Sequence, residues 1–164
     1  METTRAPRTT RSTSVFVFAL AAMVMTALYV VSKIHFALAG ELGVTGGPEV
    51  DPASYAAYGP GEVAAAQWGN VAVGVLGIGA LLLPLLPVAR RLPRWVLMVP
   101  LFAFAALMLA GGVGMLVRAL TSDVGGAAFG WYSLVWSALI AMTALRVRGR
   151  EATRERVDAA PTSG

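Results

Sequence analysis

The stretch VAAAQWGNVAVGVLGIGALLLPLLPVA, residues 63–89, carries no charged side chain from its first position to its last. An α-helix rises about 1.5 Å per residue and the hydrocarbon core of a bilayer is about 30 Å thick, so about 20 apolar residues suffice to cross it. Residues 63–89 exceed that length. Three further uncharged runs, residues 15–32, 95–117 and 124–145, reach the same scale. With 57% of the 164 residues hydrophobic and 13% charged, these runs take up more than half of the chain. Lipid offers a backbone no hydrogen-bond partner, so each run must be helical. The expected fold is all-α: a polytopic membrane protein, one four-transmembrane-helix bundle with spans of about 15–38, 63–88, 95–118 and 125–146. Residues 1–14 and 147–164 are left as short polar tails, too small to bury a core of their own.

Charge sets the orientation. Arg5, Arg8 and Arg11 precede the first span, Arg90, Arg91 and Arg94 lie between the second and third, and Arg146, Arg148, Arg150, Arg154 and Arg156 follow the fourth. The other two loops hold Glu41, Glu49, Asp51, Glu62 and Asp123 and no Lys or Arg. Short basic loops stay inside, which predicts a multi-pass protein of the cell membrane with both termini cytoplasmic and the loop at 40–62 outside. The excess of 13 Lys and Arg over 9 Asp and Glu is explained by this topology. The tail after Arg146 is interleaved with Glu151, Glu155 and Asp158; attraction to anionic lipid accounts for its arginines, and no nucleic-acid partner is expected. Arg at every basic position except Lys33, beside heavy use of Ala, Val and Gly, points to a GC-rich coding genome and a bacterial source. A cleavable signal ending at Ala37-Leu38-Ala39 is the rival reading of the first run. Its apolar region is longer than the ~7–15 residues usual for a signal, and Lys33 and His35 sit just before the cleavage point, so a retained span is expected.

Pro84 and Pro87 should end or bend the second helix, and Pro100 should kink the third mildly. In the 40–62 loop Asp51 can cap a short helix with Pro52 in its first turn, stopped by Gly59-Pro60-Gly61. Tyr55 and Tyr58 on one side of it would dip toward the headgroups. Trp68, Trp95, Trp131 and Tyr132 fall near the interfaces, as anchors. Helices in lipid associate through small residues. Candidate seams are Ala66, Asn70 and Gly74 beside Gly69, Val73 and Gly77; Ala106, Ala110 and Gly114; and Ser133, Ser137 and Ala141.

The one candidate site is a polar layer at the outer ends of the helices: Lys33, His35, Glu41, Glu62, Gln67, Asn70, Arg118 and Asp123. Ionisable groups near hydrocarbon are costly when unpaired, which makes this layer the place to look for function. Lys33 and Arg118 can equally snorkel to the interface. Lys33, Ala37 and Glu41 share a face if the first helix persists that far; Arg118 can pair with Asp123 or Glu62. His35 is a proton-relay candidate, but it lies about 200° around the helix from Lys33. With no Cys and no second His, no metal site and no cofactor are expected,. The acids Glu49, Asp51 and Glu62 lack the spacing of a calcium loop. Metalloprotease, nucleophile-elbow, Walker and dinucleotide signatures are absent,.

The segment Ile34-His35-Phe36-Ala37-Leu38-Ala39-Gly40, at the outer end of a first helix and followed by a loop ending in Pro60-Gly61, resembles a family of small four-helix integral membrane proteins common in actinobacteria and known as a domain of unknown function. The resemblance covers residues 15–146. It implies a fold and a membrane location and transfers no catalytic residue. The leading functional reading is a structural or regulatory membrane protein or membrane-complex subunit, whose partners are lipids and another membrane protein or a second copy. The alternative is a small transporter or lipid-handling protein using the outer polar layer. An intramembrane enzyme is the least supported.

Overall fold

A backbone that finds no partner in lipid must satisfy itself, and the four apolar runs do so as helices: α1 (Thr10–Ala39), α2 (Glu62–Leu82), α3 (Arg94–Thr121) and α4 (Ala127–Asp158),. This is the arrangement in a computed structural model that describes residues 10–158, with side chains over 15–149. Arg5 and Arg8, and the side chains of Arg11, Arg150, Arg154 and Arg156, lie outside the described residues. The segments Val15–Ala39, Glu62–Leu85, Arg94–Thr121 and Ala127–Gly149 are long and apolar enough to cross a bilayer. The chain is an all-α four-helix bundle and a multi-pass membrane protein. Among the described residues the only extended pairing is a single bridge between Pro48 and Gly125.

The helix ends follow from local chemistry. Gly40, with φ 67°, takes the left-handed position that closes α1: its amide donates to Ala37 O and the Glu41 amide to Phe36 O. These are the two bonds of a Schellman cap. α2 stops at Leu82, short of the expected 88, because Pro84 and Pro87 start two 3-10 turns, Leu83–Leu85 and Pro87–Arg91,. α3 runs through Pro100 without a break. α4 begins after Gly125 and Gly126, both at positive φ, and continues as one helix to Asp158. The short 52–57 helix forms as expected, in the 3-10 geometry, with the Asp51 carboxylate accepting from the Ala53 amide at 2.8 Å.

Around the bundle α2 packs on α1, α1 on α4 and α4 on α3, while α2 and α3 touch more sparingly. Mid-depth is filled by Trp136, fully buried, against Ala22, Leu81, Leu101, Phe104 and Ile140. The Trp136 indole donates to Thr26 Oγ1, 3.0 Å away, and Thr26 donates to Ala22 O; Ser137 donates to Ala105 O at 2.8 Å. A second apolar cluster of Val15, Ala89, Leu97 and Val147 closes the end that bears the arginines.

The small-residue rows divide. Gly74 and Gly77 are true contacts: a Cβ at Gly74 would lie 2.4 Å from Val30, and one at Gly77 2.5 Å from the Phe104 ring. Ser133 and Ser137 are buried as expected. Ala66, Gly69 and Val73 face outward, and so do Ala106, Ala110 and Gly114. The inward row of α3 is Leu101, Ala105, Met108 and Gly112, offset by about one residue from the expected seam. Tyr132 is also corrected: it is half-buried, its hydroxyl donates to Met25 O, and its ring stacks on Phe129. The rings of Trp68, Trp95 and Trp131 are exposed to the surroundings, as interfacial anchors should be,.

Candidate functional site

Lys33 stands on the last turns of α1 and Gln67 on the second turn of α2, so the α1·α2 packing brings them face to face. The Lys33 ammonium donates to Gln67 Oε1 at 3.0 Å and to the Gly43 carbonyl at 2.7 Å. The Gln67 amide nitrogen donates in turn to the carbonyls of Glu41 (2.9 Å) and Gly43 (3.2 Å). Gln67 is 2% exposed, so its amide is fully removed from solvent and fully engaged. The Lys33 ammonium also lies 5.7 Å from the centroid of the Tyr29 ring, within cation–π reach,. Two helices and the start of the loop are thereby tied by one four-bond clamp.

Glu41 enters this clamp through its backbone carbonyl; its carboxylate is exposed. The expected Lys33–Glu41 pairing along one helix face fails because the Gly40 cap ends α1 before Glu41. Gly43 itself is at φ 143°, and a Cβ there would meet the Phe36 ring at 2.8 Å. Only glycine lets its carbonyl turn inward at this point.

Three further bonds seat the loop. Ser32 and Thr45 share a hydroxyl hydrogen bond of 2.9 Å, and the Thr45 amide donates to Ser32 Oγ. The Leu42 amide donates to the Tyr55 hydroxyl at 3.0 Å, so Tyr55 faces the loop instead of the headgroup layer. On the other side, the amides of Glu49 and Phe129 donate to Val124 O and Gly46 O, joining the long loop to the α3–α4 turn.

Of the eight candidate residues, the structure gathers Lys33, Gln67 and the Glu41 carbonyl. The others stand outside. His35 is exposed, edge-on to Phe36 at 5.5 Å, on the far side of α1 from the clamp. Asn70 is half-buried one turn below Gln67 and takes no part in the bonds above. Glu62 accepts from the Gly59 amide at 2.8 Å and so closes the turn that precedes its own helix. Arg118 and Asp123 are both exposed, and among the described residues neither Asp123 nor Glu62 pairs with Arg118. No group of three metal-ligating side chains occurs among the described residues. Gly43, Ser32, Thr45 and Tyr55 are the participants that sequence reading missed. Gly40 beside Gly43 was the available signal: a C-cap glycine says that the helix ends there and that loop carbonyls come next.

The chain matches no family model, and no curated protein and no solved structure is significantly similar to it.

Proposed function

We propose that this chain is a structural or regulatory component of a membrane assembly, presenting a rigid loop surface at the clamped end to another membrane protein. The observation that carries this reading is the completeness of its internal bonding. Among the described residues no buried side-chain nitrogen or oxygen is without a hydrogen-bond partner. A site that handles a polar solute keeps polar groups oriented toward it; here Lys33 and Gln67 are spent on the loop backbone. Below them the rings of Tyr29, Phe129, Tyr132 and Trp136 stack or tilt against one another with centroids 5.3–6.3 Å apart, occupying the axis a pathway would follow.

The same reading takes the arginine-bearing end as cytoplasmic and the membrane as a bacterial cell membrane. Exposed Arg90, Arg91, Arg94, Arg146 and Arg148 at one end and exposed Glu41, Glu49, Asp51, Glu62 and Asp123 at the other support it,. Kinship with the small four-helix actinobacterial family belongs to this proposal too, on the strength of the 34–40 segment. A reporter fused after the last residue should read as cytoplasmic.

The test is a photo-crosslinking residue placed at Glu49, Tyr58 or Asp123 in the full chain in its own membrane. A discrete, stoichiometric adduct with one membrane protein or a second copy from the loop end, and none from position 148, is the expected result. No adduct from any loop position overturns the reading. One observation favours the alternative of transport or lipid handling from this layer: Arg118 is exposed at the bilayer edge, where a cation can meet an anionic headgroup or solute,. Flux of an anion through the reconstituted chain alone, abolished by Arg118→Gln, would move the conclusion to that alternative.

A further inference from the structure

α2 and α3 meet at mid-depth, where the Phe104 ring covers Gly77 so closely that a Cβ there would lie 2.5 Å from it. Seven residues make about two turns of helix, so Asn70 stands on the same side of α2 as Gly77, and Gly111 on the same side of α3 as Phe104. Each is about 10 Å nearer the clamped end. There the packing stops: a Cβ added to Gly111 would meet nothing within 4 Å, Gly111 is exposed and Asn70 is half-buried. The two helices part above the Phe104 ring while α1 and α4 stay packed behind the opening. Tyr29 stands at its back, between Gly74 of α2 and Phe129 and Trp136 of α4. The long loop crosses over the top to the α3–α4 turn, tied to it at Gly46 and Glu49. The result is a recess that opens sideways, toward the bilayer.

Two polar groups in this recess hold nothing within the chain. Among the described residues neither the Asn70 carboxamide nor the Tyr29 hydroxyl makes a hydrogen bond, and both residues are half-buried, so their polar atoms remain reachable. Asn70 lies about 12 Å along α2 from Glu62, within a membrane-crossing segment, where water is scarce and an unmet amide is costly,. The recess offers hydrogen bonds without charge. The Lys33 ammonium is spent on Gln67 and Gly43, and Arg118, Glu41, Glu62 and Asp123 are exposed at the rim.

We infer that the recess is a binding site for an uncharged, membrane-dissolved lipid whose compact head carries carbonyl oxygens. One carbonyl accepts from the Asn70 amide nitrogen and another from the Tyr29 hydroxyl, and the tail leaves between α2 and α3 into hydrocarbon. A phospholipid would have to carry its charged phosphate below the rim, where nothing of opposite charge meets it. A partner helix must run the full depth of the bilayer, and α2 and α3 close on each other at Gly77 and Phe104, halfway down,. A prenylated quinone and a diacylglycerol share the required head chemistry, and they form the two arms of the test.

The full chain is placed in phosphatidylcholine nanodiscs that contain either a short-chain menaquinone or dioleoylglycerol, and its retained lipids are counted by native mass spectrometry. The expected result is one molecule of either probe retained per chain in preference to phosphatidylcholine; the arm that binds identifies the head, and binding in both shows that the carbonyls alone are read. Asn70→Leu keeps the volume and removes the amide, and should lower that retention about ten-fold, the worth of one hydrogen bond, without lowering the melting temperature of the empty chain. Tyr29→Phe should lower it as well. Gly111→Leu fills the recess opposite Asn70 and removes no polar group, so retention should be lost. Gly79→Leu adds the same side chain to the exposed face of α2 and should change nothing. Retention of both probes no higher than that of phosphatidylcholine overturns the proposal. So does full retention in Gly111→Leu, or a loss in Gly79→Leu as large as in Gly111→Leu, since either leaves only lipid adhering to the outside. Should Gly111→Leu fail to fold, Asn70→Leu decides alone.

Discussion

At the clamped end the chain turns back through a long loop stitched to α1 and α2 by Lys33, Gln67, Ser32 and Thr45, and to the α3–α4 turn by backbone bonds. At the arginine end it turns back between Leu82 and Arg94, through two proline-started 3-10 turns resting on Val15, Leu97 and Val147. The first reversal depends on direction: each donor must meet one acceptor, and glycines must hold unusual backbone angles. The second depends on volume, with apolar side chains filling the space. One end is therefore built to hold a defined surface. The other is held by filled volume.

The sharpest way to break this contrast is Gln67→Leu. It strips the Lys33 ammonium of one acceptor and the Glu41 carbonyl of its donor in a site closed to water. A loss of about 3 kcal/mol is expected from these orphaned groups, measured by denaturant titration in mixed micelles. A loss under a third of that would mean water or lipid headgroups replace the amide, and the end would not be rigid.

Leu97→Ala asks the matching question of the arginine end. Leu97 is 3% exposed among Val15, Ala89 and Val147, and its truncation leaves a void that proline-bounded turns cannot easily close. About 2 kcal/mol is expected in the same titration. Gly126→Ala returns to the loops with a smaller effect. Gly126 sits at φ 96°, and a Cβ would lie 2.9 Å from Pro48 Cδ. Left-handed strain and this contact together should cost about 1.5 kcal/mol. Protease sensitivity should rise in the 40–61 loop while the helices stay protected, because the strain falls where two loops pair and no helix packs.

The helices were legible in the sequence because crossing lipid requires length and apolarity, and residues 63–89 can hardly be read otherwise. Their ends were legible where a residue acts on its own backbone: Pro84, Pro87, and Asp51 before Pro52. Which face of a helix turns inward was largely hidden. In water an apolar stripe marks the core; in a bilayer the outward face is apolar too, so Ala106 and Ala110 look as inward as Ala105 and Met108. The site was half legible for a related reason. Lys33 and Gln67 stand out as polar groups in apolar surroundings, but two of their partners are backbone carbonyls, which every residue carries and no sequence pattern marks.

The finest test of that hidden register compares two glycines on one helix, near the clamped end where α3 packs tightly on α4. A Cβ at Gly112 would lie 3.0 Å from the Gly130 carbonyl and 3.1 Å from Ser133 Cβ, and the carbonyl belongs to a backbone that can shift only by moving α4. A Cβ at Gly114 meets nothing within 4 Å. Gly112→Ala should therefore destabilise by about 1 kcal/mol through overpacking. Gly114→Ala should stabilise by about 0.5 kcal/mol, since alanine orders a helix at lower entropic cost than glycine. The magnitudes are small, but the signs are opposite at two positions that composition alone cannot distinguish. If both substitutions destabilise equally, the outward row at Ala106, Ala110 and Gly114 is a packed interface after all, and a second chain covers it in the membrane.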